Sequence, residues 1–338
     1  MESSLTLLSF GLKGDFMRTR RLEGESLFEW KFRLCKAKLN RDLDLDWSEI
    51  VETLGLDVSA DHLRKTAYGM MEYDEYIHGL GGVTTTILSI SDVHFPYAKD
   101  ISIFKDYIGK VDILQINGDL LDCAALSKFI KMYRTSPIEE MIEARQWLID
   151  LIEMIKPKKV LVNHGNHELR MGQYLAKNLD SELQELMPET AFDYIFTDGF
   201  THYDRRTKAK IKYAPLCEVF DDVEIEYTGT WYSQYKEVLF CHPKAFASSP
   251  LKTAEKAVYW FRNEGFNFKS LIMSHTHRVG SYKIGNTMTY EQGCCCETSK
   301  MKYNDGQLIN SQKEGFIFIC LDENGCIIND KTKIITLN

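Results

Sequence analysis

Five short apolar or β-branched runs, at 84–90, 111–116, 159–162, 238–240 and 271–273, are each too short for a buried helix and predict strands. Longer stretches with helical spacing lie between or beside them, at 100–108, 138–155 (halted before Pro157), 173–187 (halted before Pro188) and 250–263. Strands alternating with helices predict an α/β fold, in which ligands bind beyond the carboxyl ends of the strands. Near the C-terminus, a strand at 287–290 is broken by Gly293, and 316–321 with 326–335 around Asn324-Gly325 reads as a closing β-hairpin.

The first eighty residues carry a different pattern. Phe28, Phe32, Cys35 and Leu39 give helical spacing over 26–39; 47–54 is a second helix capped by Asp46, and 60–71 a third capped by Ser59. The second and third helices flank the turn Gly55-Leu56-Asp57-Val58, which suggests a helix-turn-helix. Gly79 to Gly82 is a natural linker, so the expected division is a helical module with a basic arm over 1–80 and a second domain over 81–338.

Charge qualifies that module. Residues 1–41 hold nine basic side chains, Lys13, Arg18, Arg20 and Arg21 among them, against five acidic ones. Residues 42–82 hold two basic and ten acidic side chains, so any contact with nucleic acid is expected through the basic arm, and docking on a protein remains the alternative. Asp42, Asp44 and Asp46 do not open a calcium loop, because Trp47 stands where glycine is needed and Thr53 where glutamate is needed.

The chemistry is concentrated where the predicted strands end. The motifs are Asp92-Val93-His94, Gly118-Asp119-Leu120-Leu121-Asp122, Gly165-Asn166-His167-Glu168, Cys241-His242 and Ser274-His275-Thr276-His277, which hold five of the nine histidines. Singly, Asp-x-His could cap a helix and Gly118 could mark a plain turn; together, five strand-end motifs point to one pocket. Mixed carboxylate, amide and imidazole donors suit manganese, iron, zinc, cobalt or nickel better than magnesium or calcium.

These motifs, in this order from about Thr84 onward, resemble the calcineurin-like metallophosphoesterase superfamily. The stretch from Asp46 to Tyr76 resembles the small helical module of some phage and prophage phosphoesterases. The resemblance implies an α/β fold of the αββα type, two β-sheets packed together and flanked by helices. It implies one divalent ion held by Asp92, His94, Asp119 and His277, and a second by Asp119, Asn166, His242 and His275, with manganese the expected metal. It also implies that His167 lies beside the phosphate as general acid or hydrogen-bond donor. Cys241 and Ser274 depart from the family's usual glycines, which predicts altered loop packing with the metals retained.

Phosphate ester hydrolysis then follows from attack by a metal-bound hydroxide, with the two cations clamping the attacking and leaving oxygens. A histidine can supply the leaving group's proton, and His167 is the candidate. Glu168 is expected to orient its neighbours, Asp122 to hold a ligand histidine in one tautomer, and Arg170 and Arg278 to offer forks for phosphate oxygens, with surface ion pairing as the alternative. The expected activity is that of a phosphodiesterase or nuclease; the alternatives are a phosphomonoesterase acting on a nucleotide or phosphoprotein, and a binding module without turnover.

Composition is consistent with this reading. The 338 residues are 44% hydrophobic with a net charge of −8, and no apolar run is long enough to span a bilayer. The apolar 5–12 stretch lacks a preceding basic region, so a secretory signal is not expected. Nine irregularly spaced cysteines argue against a disulfide framework and for a reducing cytoplasm, the host's if the chain is phage-encoded. The triple Cys294-Cys295-Cys296 lacks the spacer that lets one loop wrap a zinc ion, and reads as a strand end. Arg205, Arg206, Lys208, Lys210 and Lys212, set among Tyr203 and Tyr213, could track a nucleic-acid strand or form a solvated loop. Nucleic acid is the expected partner, no membrane is, and a homodimer stays open.

Overall fold

The computed structural model describes residues 19–77, 82–127, 134–301 and 312–337. The chain divides into two compact units, Met1–Gly81 and Gly82–Asn338. Lys13, Arg18 and positions 79–81 of the predicted linker lie outside the described residues.

The first unit contains α1 (Leu27–Leu39), α2 (Trp47–Leu54) and α3 (Ala60–Ile77). Both α1 and α2 begin with reciprocal caps. The Ser26 hydroxyl accepts from the Glu29 amide and the Glu29 carboxylate from the Ser26 amide, and Asp46 and Glu49 do the same one helix later. Gly55, at φ 62°, closes α2 in the left-handed region that glycine tolerates. α3 runs beyond the expected 60–71, since Glu72 to Ile77 contain neither glycine nor proline to stop it. Leu34, Cys35, Leu43, Ile50, Leu54, Leu63 and Ala67 form this unit's core. The buried stripe of α1 is therefore rotated from the one read in the sequence, and Phe28 is 65% exposed.

The second unit is an αββα sandwich. One six-stranded sheet has the order β13-β12-β1-β2-β3-β6, built from β1 (Thr85–Ile90), β2 (Ile113–Asn117), β3 (Lys159–Asn163), β6 (Glu224–Tyr227), β12 (Gly315–Leu321) and β13 (Lys333–Thr336). β1, β2, β3 and β6 are parallel, while β12 is antiparallel to both β1 and β13. A five-stranded sheet has the order β10-β11-β9-β8-β7, from β7 (Tyr232–Tyr235), β8 (Val238–Cys241), β9 (Ser270–Met273), β10 (Val279–Ile284) and β11 (Thr287–Gln292). β8, β9 and β11 are parallel within it, and β7 and β10 close its edges in antiparallel pairs.

The period of two along each strand sets the layers. Ile87, Ile113, Leu161, Phe240, Ile272 and Ile317 meet between the sheets. Leu88, Ile90, Leu114, Ile116, Val160 and Val162 turn outward against α4 (Pro137–Ile155), which contributes Met141, Ala144, Leu148, Leu151, Ile152 and Ile155. On the far side, Leu239, Leu271 and Met273 pack on Ala254, Val258 and Phe261 of α7 (Lys252–Asn263). Toward the carboxyl ends of the strands the layer between the sheets turns polar. Gln115 donates to Asn163 (2.8 Å), Asn163 to Asn117 (2.9 Å) and Ser89 to Gln292 (2.8 Å), all buried, giving a hydrogen-bonded floor on which the strand-end motifs stand.

Several elements differ from the sequence reading. The 100–108 stretch is a 3-10 helix, Ile101–Tyr107. The 173–187 helix is two, α5 (Leu169–Asn178), which starts directly after the Asn-His motif, and α6 (Ser181–Gln184), where the Asp180 side chain accepts from the Glu182 amide and caps a new turn. The C-terminal hairpin forms around Asn324-Gly325, where Leu321 pairs antiparallel with Ile327, but its second strand is regular only over Lys333–Thr336. Cluster 205–212 belongs to a two-stranded antiparallel hairpin, β4 (Phe200–Asp204) and β5 (Ala209–Tyr213), with its five basic side chains exposed. Among the described residues no helix is long and apolar enough to cross a membrane.

Candidate metal centre

All five motifs emerge at the carboxyl ends of β1, β2, β3, β8 and β9, and their side chains converge. Asp92, His94 and His277 form one cluster; Asp119, His242 and His275 form another. In the first, His94 Nε2 lies 3.2 Å from His277 Nε2, and Asp92 Oδ1 lies 3.1 Å from His277 Nε2. In the second, Asp119 Oδ2 lies 3.0 Å from His242 Nε2. The same oxygen is 4.0 Å from His94 Nε2, which puts the Asp119 carboxylate between the clusters.

The backbone is bent to achieve this. Asp92, His94, Asp119, His275 and His277 all have φ between 50° and 78°, a conformation that costs non-glycine residues about 1–3 kcal/mol each. Strain collected at five converging positions marks a site whose geometry is imposed by its surroundings. Two glycines allow the approach: a Cβ on Gly118 would lie 2.5 Å from His242 Nδ1, and one on Gly165 would lie 2.1 Å from Asp119 Oδ1.

Glu168 is the internal brace. Fully buried, it accepts from the amides of Asp119 (3.0 Å), Gly165 (2.8 Å) and Leu121 (3.1 Å), tying the second and third motifs together. Burial, and then the Asp119 charge, raise its carboxyl to about 7. Asp92 Oδ2 accepts from Ser91 Oγ (2.7 Å) and the His275 amide (3.1 Å). His242 Nδ1 is fixed by the Asn117 carbonyl at 2.8 Å, leaving Nε2 toward Asp119. Ser274, one of the two departures from glycine, places its hydroxyl 2.8 Å from that same carbonyl and 2.9 Å from His242 Nδ1, so it joins the network that orients the ring.

The electrostatics are those of a cation site. Burial would raise Asp92 and Asp119, but the neighbouring histidines hold both carboxyls well below their usual range. Burial would lower His242, yet the Asp119 and Asp92 carboxylates raise it to about 9. His275, half-buried and facing His242, is lowered to about 3, desolvation being the main cause. Concentrated carboxylate charge thus draws positive charge into a dry site.

The donors fit divalent ions. Bonds of about 2.0–2.1 Å put neighbouring ligand atoms roughly 3.0–3.4 Å apart, which is the spacing of His277 from both His94 and Asp92 here, while His94 and Asp92 lie 3.7 Å apart. The Asn166 carbonyl oxygen is buried with no hydrogen-bond partner, as a ligand awaiting a cation would be.

His167 stands beside the first cluster, its ring centroid 4.5 Å from that of His94. Its amide donates to Asp119 Oδ1 at 2.9 Å. Its Nδ1 is 3.2 Å from Asp122 Oδ1 and its Nε2 is 2.9 Å from an Arg170 nitrogen. Burial, with the charges of His94 and Arg170, lowers it to about 4 despite Asp119 and Asp122. Asp122 Oδ1 is nearer His167 than His94, whose Nδ1 is 3.9 Å away. Arg278 is held by the carbonyls of Ala247, Ser248 and Ser249.

Sequence reasoning missed two groups. Cys294 and Cys296 lie with His277 in a third cluster. Cys294 is lowered to about 5 by the Cys296 hydrogen bond and, against burial, by His277. An extended backbone sends residues 294 and 296 to one side and 295 to the other, a signal the adjacency of the three thiols conceals. Glu140, buried on α4, accepts from the Cys123 amide at 2.6 Å, and burial raises it to about 8. Helical spacing alone gives no hint of a carboxyl there.

No curated protein sequence matches this chain. Similar solved structures include vacuolar protein sorting 29 from Cryptosporidium parvum, at 13% identity and TM-score 0.36, covering 75% of this chain and 97% of that one. An archaeal phosphodiesterase is 14% identical with TM-score 0.32, covering 75% and 99%. A metallophosphoesterase from Sphaerobacter thermophilus is 9% identical with TM-score 0.34, covering 75% and 88%. The sequence profile of the calcineurin-like phosphoesterases matches residues 85–279, more than half of the chain and the span that carries all five motifs, and the chain belongs to that family of metal-dependent phosphoester hydrolases.

Proposed function

We propose that this protein is a two-metal phosphodiesterase acting on nucleic acid in the cytoplasm, with one divalent ion held by Asp92, His94, Asp119 and His277 and the other by Asp119, Asn166, His242 and His275. The observation that carries the reading is the pair of donor clusters on either side of Asp119, assembled from five separate strand ends. Two ions in such a site acidify a water and neutralise charge on the phosphoryl oxygens. Manganese fits the mixed donors, and iron, zinc, cobalt or nickel would serve the same chemistry.

The chain's own residues divide the remaining work. Glu168 and the polar floor hold the motifs in register. Asp122 orients His167 through Nδ1, which leaves Nε2 as the atom that meets the leaving oxygen once Arg170 releases it. With its pKa lowered to about 4, His167 is neutral near pH 7 in this arrangement. Becoming a proton donor requires it to gain a proton when the anionic substrate brings negative charge beside it.

Preference for a diester is supported by the arginines. A terminal phosphate with two charges calls for a guanidinium fork, and both candidates, Arg170 and Arg278, are already engaged by protein partners. The exposed basic hairpin and the nine free cysteines fit a nucleic-acid substrate and a reducing compartment. The deciding assay is hydrolysis of bis-p-nitrophenyl phosphate against p-nitrophenyl phosphate with manganese. Faster diester turnover is expected; the reverse would indicate a monoesterase, and turnover of neither a binding module.

A further inference from the structure

Beside the Asn166 and His242 cluster lies a cavity of about 460 Å³, within the range that accommodates small organic ligands. One wall is α7. Its Thr253, Lys256, Ala257 and Trp260 follow one another at i, i+3, i+4 and i+7, so they share a helix face and line the cavity together. Pro243, Lys244 and Ala245, the segment that leaves His242, also line it. Small side chains at 245, 253 and 257 keep the space open. Trp231, also in the lining, is fixed, its ring 5.0 Å from Phe261 and 5.1 Å from Trp260, and its carbonyl accepts from the His242 amide at 2.8 Å.

Core packing explains only part of this lining. Ala257 belongs to the apolar core of α7 with Ala254, Val258 and Phe261, yet Trp260 three residues on is 43% exposed. Lys244 and Lys256 have no carboxylate partner among the described residues, whereas Lys252 on the same helix pairs with Glu255. An exposed indole and two unpaired ammonium groups thus border a mostly apolar cavity that opens onto two candidate metal ligands.

We propose that the cavity is a nucleobase subsite: it seats the base next to the scissile phosphate of a nucleic-acid strand against Trp260, with a flanking phosphate on Lys256 and Lys244. The subsite rests on the phosphodiesterase reading of the adjoining centre. A base offers a π-face whatever its identity, so stacking on Trp260 gives affinity with little sequence preference, and the lysines add a salt-dependent grip on the backbone.

The test compares thymidine 5′-(4-nitrophenyl phosphate) with methyl 4-nitrophenyl phosphate, which share the leaving group and differ in the base-bearing part. Wild type favours the thymidyl ester in kcat/KM. Trp260→Ala lowers the thymidyl-to-methyl ratio about tenfold, the scale of one lost base stack. Trp260→Phe restores most of it, and Tyr259→Ala, an exposed neighbour outside the cavity lining, leaves it unchanged. Lys256→Gln weakens binding of labelled pentathymidylate and flattens its salt dependence. An unchanged ratio in Trp260→Ala overturns the subsite. If wild type hydrolyses neither ester, the diesterase reading fails, and fluorescence anisotropy with the same pentathymidylate judges the subsite alone. Affinity lost in Trp260→Ala supports it, and equal affinity overturns it.

Discussion

Replacing Gly165 with alanine adds one methyl group at the point where the second and third motifs touch. The new Cβ would stand 2.1 Å from Asp119 Oδ1, 2.6 Å from the Asp119 nitrogen and 2.8 Å from its Cγ. To restore ordinary contact at 3.4 Å, the carboxylate oxygen must retreat by about 1.3 Å and the backbone nitrogen by about 0.8 Å. Neither can yield cheaply. The Asp119 amide is bound to Glu168, which also binds Gly165 itself, and Asp119 Oδ1 is bound to the His167 amide. The stability cost is that of overpacking a buried site, about 1–3 kcal/mol, which lowers Tm by roughly 2–4 °C per kcal/mol for a domain of this size. The functional cost is larger. A displacement near 1 Å of a positioning group costs about a hundredfold in rate, and here the displaced group lies between both donor clusters. Gly165→Ala should therefore remain folded by circular dichroism, lose part of its bound metal by elemental analysis and lose at least about a hundredfold in kcat on bis-p-nitrophenyl phosphate. Gly69→Ala is the control, on an exposed helical position with nothing within 4 Å of its added Cβ, and should gain a few tenths to about 1 kcal/mol. Full metal content and full activity in Gly165→Ala would refute the placement of Asp119.

Three further perturbations probe separate parts of the site. His167→Ala should slow hydrolysis of an alkyl or nucleoside ester by about 10²–10⁴ and that of a p-nitrophenyl ester far less, because p-nitrophenolate leaves without a proton; equal losses would make His167 a phosphate-binding group. Glu140, raised to about 8, keeps its proton in the folded protein after the unfolded chain has released it, so its contribution to stability falls as pH rises from about 4.5 to 8 and is at its most unfavourable above that. Glu140→Gln mimics the neutral acid, and should raise Tm at pH 8 relative to wild type while leaving it near wild type at pH 5; a gain that is the same at both pH values would contradict the raised carboxyl. Asp119→Asn should abolish turnover and reduce bound metal, since a neutral amide cannot balance two divalent charges, and elemental analysis of the purified variant checks it.

How far the sequence disclosed this arrangement depends on the kind of residue. Strands β1, β2, β3, β8 and β9 were legible because they are buried on both faces and read as continuous apolar runs, so their ends could be located and the motifs assigned to one edge. Three of the four edge strands were not. Glu224–Tyr227 and Tyr232–Tyr235 alternate polar and half-buried residues and carry no apolar run, and Val279–Ile284 begins one residue after the last motif. The 200–213 hairpin is almost wholly exposed, so hydrophobic periodicity has nothing to record there. The donors themselves are separated by up to 185 residues, and their convergence could be proposed only because each sits at a strand end. Direction was harder than position. Arg170 and Arg278 both follow motifs, yet one points at His167 and the other at three backbone carbonyls, and only packing decides between those outcomes. The α7 face carrying Lys256 and Trp260 reads in sequence as an ordinary amphipathic helix, and its link to the centre appears only when the segment after His242 is folded against it.

The most direct measurement is anomalous diffraction at the manganese edge from crystals of the full chain grown with manganese. Two peaks are predicted, one among Asp92, His94 and His277 and the other among Asn166, His242 and His275, with the Asp119 carboxylate between them. A single peak, or peaks away from these side chains, would contradict the two-metal centre.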